Sequence, residues 1–311
     1  MVEEMISSGL AHESQGAMVV DVTEETDTKE IPPCIIRKSD GAALYATSDL
    51  ATIIQRMQDY KPDEIIYLAD KRQEMHFTQV FRTARKAGIV DDKVKLIYQG
   101  FGTMNGKDNK PFKTREGGVM RLENLLSDVN AAVYNKIMEN RKEEEEEARK
   151  TAKIVGLAAV KYGDLSNQTS KDYIFDTDRF ASFEGNTGPY ILYTIVRIKS
   201  ILEKYVQTGE CIDMSAMSVN KELTPSEKNL MMELSKFNAT IDVAYEELAP
   251  YKICSYIYDL SNAFNTFYHD NKILGEENKE KQKGFIKLLI VTKSALEKSI
   301  DILGFTAPDR M

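Results

Sequence analysis

Between residues 34 and 101, short apolar runs alternate with longer segments of helical period. That alternation restricts the fold more than any other feature of the chain. CIIRKSDG reads as a strand entering an Asp40-Gly41 turn. ALYATSDLATIIQRMQDY sets Leu50, Ile53, Ile54 and Met57 on one stripe, with Thr47 or Ser48 expected as N-cap. EIIYLA is a strand, and its unbroken apolar run predicts burial on both faces. QEMHFTQVFRTARKAG is a helix carrying Phe77, Val80, Phe81 and Ala84 on one side and stopped by Gly88. KVKLIYQGF is the next strand. Strands that alternate with helices predict βαβ units and a parallel sheet. In such sheets, ligands bind beyond the carboxyl ends of the strands.

Upstream, AMVVDV reads as a strand, followed by a charged loop and Pro32-Pro33. Downstream, FGTMNGKDNKPFKTREGG holds four glycines and four basic residues, and reads as a loop. A helix is expected from Arg121 through Lys150, its RKEEEEEARK segment forming a solvated face with Glu145–Arg149 and Glu146–Lys150 pairs. The remainder is helical. Its stripes are Ile191, Ile195, Ile198 and Leu202; Leu230, Leu234, Phe237, Ile241 and Leu248; Ile253, Ile257, Leu260, Phe264 and Phe267; and Phe285, Leu289, Leu296, Ile300 and Leu303. Thr224-Pro225-Ser226-Glu227 is a capping box, Pro250 breaks the helix it starts, and Gly304 ends the last one. The expected fold class is therefore α/β followed by all-α.

With 311 residues the chain has room for two domains. No apolar run approaches the roughly 20 residues of a membrane span. MVEEMISSGLAHE lacks the basic and apolar regions of a signal peptide. Cys34, Cys211 and Cys254 are widely spaced, as are the three histidines, so neither a zinc site nor a disulfide framework is expected; a cytoplasmic location is. The net charge of −8 divides into about −4 on each side of residue 175, with no basic tail or domain. Charge alone argues against a nucleic-acid partner.

Three constellations carry candidate chemistry. Tyr45, Asp49 and Gln73 offer a phenol, a carboxylate and an amide near strand ends. They suit a planar cation such as a guanidinium, which a carboxylate binds bidentately. A helix-dipole role for Asp49 and a core role for Tyr45 are the plainer alternatives. In the glycine-rich loop, Lys113 and Arg115 are placed to neutralise phosphate, although the P-loop pattern is absent and an exposed connector is the plainer reading. In SFEGNTGPYILYTIVRIKS, Tyr190 and Arg197 are seven apart on one helix face. Such a pair stacks on and hydrogen-bonds a splayed-out base, or simply packs a helix start.

Five segments, in register, resemble arginyl-tRNA synthetase, a class I aminoacyl-tRNA synthetase: KSDGAALYATSDLA, YLADKRQEMHFTQVF, FKTREGGVMRLENLL, VKYGDLSNQTSKDYIFDTDRFASFEGNTGPYILYTIVRIKSIL and the terminal APDRM. The resemblance implies residues 1–175 as the C-terminal part of a Rossmann-like catalytic domain and 176–311 as an α-helical anticodon-binding domain. It implies an arginine–tRNA ligase that uses ATP with Mg²⁺ and holds no tightly bound cofactor, with L-arginine and tRNA(Arg) as partners and a monomeric full-length form. Tyr45, Asp49 and Gln73 would hold arginine, and His76, Gly100 and Gly102 would lie at the nucleotide. Lys113, Thr114 and Arg115 would stand in the KMSKS loop, although KTREGG lacks that motif's second lysine. Tyr190, Arg197 and Met311 would surround the middle anticodon base. The HIGH motif of the family is absent from this sequence, so the chain is expected to be a C-terminal portion, inactive alone. The alternative is a non-catalytic tRNA-binding or interaction module.

Overall fold

The computed structural model describes residues 1–110, 121–140, 144–215 and 217–311. They form two compact units, Met1–Thr103 and Met104–Met311, each with its own apolar core.

The first unit opens with α1 (Val2–Ser7), which the loose pattern of the N-terminal residues did not predict. Strands β1 (His12–Ser14), β2 (Ala17–Val20) and β3 (Cys34–Arg37) follow as an antiparallel sheet in that order. Then come α2 (Tyr45–Tyr60), β4 (Glu64–Asp70), a 3-10 turn at Lys71–Gln73, α3 (Glu74–Lys86) and β5 (Lys95–Phe101). The expected parallel pairing holds for β4 and β5, which run in register from Glu64 opposite Lys95 to Asp70 opposite Phe101. It does not extend to β3, which pairs with β2. Gln15 and Gly16, at φ 50° and 79°, close a tight reversal between β1 and β2, and β3 pairs antiparallel with the other edge of β2.

The prediction that β4 is buried on both faces is corrected. Ile65, Tyr67 and Ala69 alternate with Ile66 and Leu68, and the latter two are 45% and 65% exposed. Helices cover one face only. There Tyr67 packs against Phe77 and Phe81 of α3, and Phe77 stacks on Tyr98 of β5. Leu50 and Ile53 of α2 and Val80 and Ala84 of α3 lie fully buried in the same core. Each large aliphatic side chain among them contributes roughly 1.5–3 kcal/mol. Arg82 of α3 grips Asp27 through two 2.7 Å hydrogen bonds, and this contact holds the Asp27 carboxyl down to about 2. The N-cap of α2 is also corrected, from Thr47 or Ser48 to Leu44. Thr47 sits one turn inside, where its hydroxyl accepts from Leu44 N–H at 3.3 Å and donates to Ile36 carbonyl at 2.7 Å.

In the second unit β6 (Met104–Asn105) pairs with β7 (Tyr173–Ile174), so the glycine-rich stretch is not loop throughout. The helices are α4 (Leu122–Asn140), α5 (Glu145–Leu165), α6 (Thr177–Phe180), α7 (Gly188–Gln207), α8 (Pro225–Ser235), α9 (Phe237–Glu246), α10 (Pro250–Asp270) and α11 (Lys279–Ile302). The single helix expected over 121–150 is two, α4 and the start of α5. Their apolar stripes, Val129 and Val133 against Ala152 and Val155, share one core, which a straight helix would not allow. Glu145, Glu146 and Glu147 form the first turn of α5, where negative charge meets the helix dipole. The Glu145–Arg149 and Glu146–Lys150 pairs close at 2.7 and 3.0 Å. The helix begun at Pro225 likewise divides into α8 and α9, at Lys236. Pro250 begins α10. The stripes on α7, α10 and α11 are buried as expected. No helix among the described residues is long and apolar enough to cross a membrane.

Candidate functional site

In the first unit, the carboxyl ends of β4 and β5 and the first turns of α2 and α3 carry the predicted residues. Tyr45 opens α2 and is 87% exposed, with Asp49 one turn later. Gln73 is the N-cap of α3, and His76 follows within its first turn. The direct contact is between the helices: His76 Nε2 donates to Asp49 Oδ2 at 2.6 Å, with both side chains a little under one-third exposed. Tyr45 and Gln73 are each three or four residues before a member of that pair, on the solvent-facing side. The separate roles expected for Asp49 and His76 therefore start from one hydrogen-bonded dyad. A carboxylate held through one oxygen keeps its second for a cationic partner.

Gly100 lies on β5 beside this region. A Cβ there would come 3.0 Å from Lys71 Cα and 3.1 Å from the Tyr98 hydroxyl. Packing against the 3-10 turn thus accounts for the glycine, and Tyr98 secures the turn by donating to Asp70 carbonyl at 2.6 Å. Gly102 falls just past the end of β5. Lys113, Thr114 and Arg115 lie outside the described residues.

In the second unit the sequence places a tight junction before the other site. Thr187 caps α7, its hydroxyl accepting from Tyr190 N–H at 3.3 Å. Gly188 lets α7 meet α5, for a Cβ there would stand 2.4 Å from Ala158 carbonyl oxygen. With the start of α7 fixed, Tyr190, Tyr193 and Arg197 face α10. Tyr190 donates to Asn262 Oδ1 at 2.6 Å and accepts from Asn265 Nδ2 at 2.8 Å. Burial pushes the Tyr190 phenol above the usual tyrosine range, so it is a neutral hydrogen-bonding group. Arg197 Nη1 donates to Asn265 Oδ1 at 2.7 Å, and its guanidinium lies 4.7 Å from the Tyr193 ring centre and 5.4 Å from that of Tyr268. Tyr193 and Tyr268 remain 38% and 36% exposed. The result is a partly open face of aromatic rings around an oriented cation, the chemistry that stacks and hydrogen-bonds an unpaired base. Met311 does not share that exposure: it is 6% exposed and packed in the core of the unit.

Sequence reasoning brought Tyr190 and Arg197 to one helix face but missed Asn262, Asn265 and Tyr268. These recur three apart on α10, in NAFNTFY, where a polar interruption of an apolar stripe was the available signal. Among the described residues no group of His, Cys, Asp and Glu is arranged to hold a metal ion.

Residues 1–177 match the family model described as the catalytic domain of class I tRNA synthetases (R), and residues 191–311 match the DALR anticodon binding domain. The chain is 65% identical to an arginine–tRNA ligase of Agathobacter rectalis, across the whole chain and 53% of that relative. It is 52% identical to the enzyme of Alkaliphilus oremlandii, across the whole chain and 52% of that relative. It therefore spans about half the length of these relatives. Among solved structures, arginyl-tRNA synthetase from Thermus thermophilus superposes with a TM-score of 0.82 at 21% identity, over all of this chain and 58% of that one. The Plasmodium falciparum enzyme gives 0.81 at 24% identity, over all of this chain and 52% of that one. At such identities the likeness shows the fold.

Proposed function

The chain belongs to the arginyl class I tRNA synthetase family, and we propose that it supplies the arginine-holding and tRNA-reading parts of an arginine–tRNA ligase. That enzyme activates arginine with ATP to arginyl-adenylate and transfers the arginyl group to the 3′-terminal adenosine of tRNA(Arg). In this reading Asp49 takes the guanidinium of L-arginine, with Tyr45 and Gln73 beside it, and His76 steadies the carboxylate at the nucleotide side, near Gly100 and Gly102. Lys113, Thr114 and Arg115 offset charge on the triphosphate, whose Mg²⁺ arrives with ATP. No side chain acts as nucleophile; positioning and charge stabilisation carry the reaction. Residues 1–175 serve the catalytic part and 176–311 the anticodon part, in a cytoplasmic enzyme that is monomeric at full length. The chain contains no H-x-G-H sequence, so on its own it binds RNA without forming adenylate.

The observation that carries this reading is the aromatic–arginine face between α7 and α10, within a segment that matches an anticodon-binding family model. It also answers the objection from net charge, because local stacking reads a base without a basic field. Tyr190→Ala should lower the preference of the chain for tRNA(Arg) over the same tRNA with a changed middle anticodon base by about tenfold, about 1.4 kcal/mol. Dissociation constants at fixed salt measure this, and equal binding of the two RNAs by the unaltered chain would sink the proposal.

A further inference from the structure

Tyr190 and Arg197 lie two helical turns apart on α7 and share one partner, Asn265 of α10. Its amide is fully assigned: Oδ1 accepts from Arg197 Nη1 at 2.7 Å, and Nδ2 donates to the Tyr190 hydroxyl at 2.8 Å. The orientation follows from chemistry, because a guanidinium only donates and must meet the carbonyl side of the amide. The Tyr190 proton points to Asn262, which leaves the phenol oxygen to accept from Asn265. Arg197 is thereby held beside the Tyr193 and Tyr268 rings, and among the described residues only one of its five N–H groups is engaged in a side-chain hydrogen bond. An arginine held in advance loses less freedom when it binds.

We propose that Asn265 is a positioning residue: it locks Tyr190 and Arg197 into one array that reads a splayed-out base of an RNA loop, without touching the RNA itself. This rests on the reading of the α7–α10 face as the anticodon site.

The test uses this chain and two short RNA hairpins, one carrying an arginine anticodon in its loop and one with the middle base of that anticodon changed. The readout is the ratio of their dissociation constants at fixed salt. Asn265→Ala should lower the ratio about tenfold, with the circular-dichroism spectrum retained. Asn265→Asp keeps an acceptor for Arg197. It removes the donor to the Tyr190 hydroxyl, so the ratio should fall less far than in Asn265→Ala. In an Arg197→Ala background, Asn265→Ala should lower the ratio less than it does alone, because only its hold on Tyr190 remains to be lost. Should Asn265→Ala not fold, Asn265→Gln, which displaces the amide by one methylene, carries the same expected loss. An unchanged ratio in Asn265→Ala or Asn265→Gln overturns the inference while Arg197→Ala still collapses it. So does a ratio that falls as far in Asn265→Asp as in Asn265→Ala, or fully additive loss in the double variant. If Arg197→Ala itself leaves the ratio intact, the site reading fails instead.

Discussion

Asp49 has one oxygen engaged and one left over for a cation. In the structure its Oδ2 is occupied by His76 at 2.6 Å, yet the side chain is only partly covered, one helical turn after the exposed Tyr45. A cationic ligand at the second oxygen would form a charge-assisted contact worth about 1.5–3 kcal/mol. In the full-length ligase, Asp49→Asn should therefore raise the arginine KM roughly 10- to 100-fold. The affinity for tRNA should stay unchanged, since the proposed anticodon site lies on α7 and α10. Steady-state kinetics paired with tRNA binding checks this, and an unaltered KM removes Asp49 from the arginine site. The places of Tyr45, Asp49 and Gln73 at the starts of α2 and α3 were legible because helix starts are written in neighbouring residues. The Asp49–His76 dyad was not, because 27 positions separate the partners and only the packing of α2 on α3 brings them together.

At the scale of elements, the start of α8 joins local and distant constraints. Thr224 and Glu227 form the reciprocal cap that their spacing predicted: Glu227 N–H donates to the Thr224 hydroxyl at 3.3 Å, and Thr224 N–H to Glu227 Oε2 at 2.8 Å. Glu227 is also fully buried, and its other oxygen accepts from Asn220 Nδ2 at 2.8 Å. Thr224→Ala should cost about 1 kcal/mol, the ordinary value of an N-cap. Glu227→Ala should cost about 2–3 kcal/mol, because it takes the acceptor from two partly buried donors, Thr224 N–H and Asn220 Nδ2, and opens a cavity. Urea denaturation midpoints compare the two, and equal losses would show that Asn220 contributes nothing. The existence of the long helices was readable from the 3.6-residue period, while the short α1 and α6 were not. Helix ends were less readable: α4 and α5, and α8 and α9, each carry one continuous pattern that tertiary packing divides.

For the whole molecule, the exposed side of the β4–β5 pair matters most. Ile66 and Leu68 of β4 and Phe101 of β5 lie on the face that α2 and α3 do not cover, and all three are substantially exposed. Contiguous apolar surface of this kind drives association. The isolated chain should self-associate as its concentration rises, and Leu68→Lys should shift the association midpoint upward about tenfold. Sedimentation velocity across a dilution series measures this; a concentration-independent monomer in the unaltered chain would refute it.

Sequence alone determined the class of each half, because strand and helix periods are written in neighbouring residues and survive any arrangement of the elements. It determined the family too, because the quoted segments keep their order and chemistry. Only the tertiary structure decided which face of β4 is covered, that β3 joins an antiparallel sheet, and that Asn265 connects Tyr190 with Arg197. Those outcomes depend on which elements meet, through contacts between residues tens of positions apart. Hydrophobic patterning states that a residue is to be buried, and it leaves open against what.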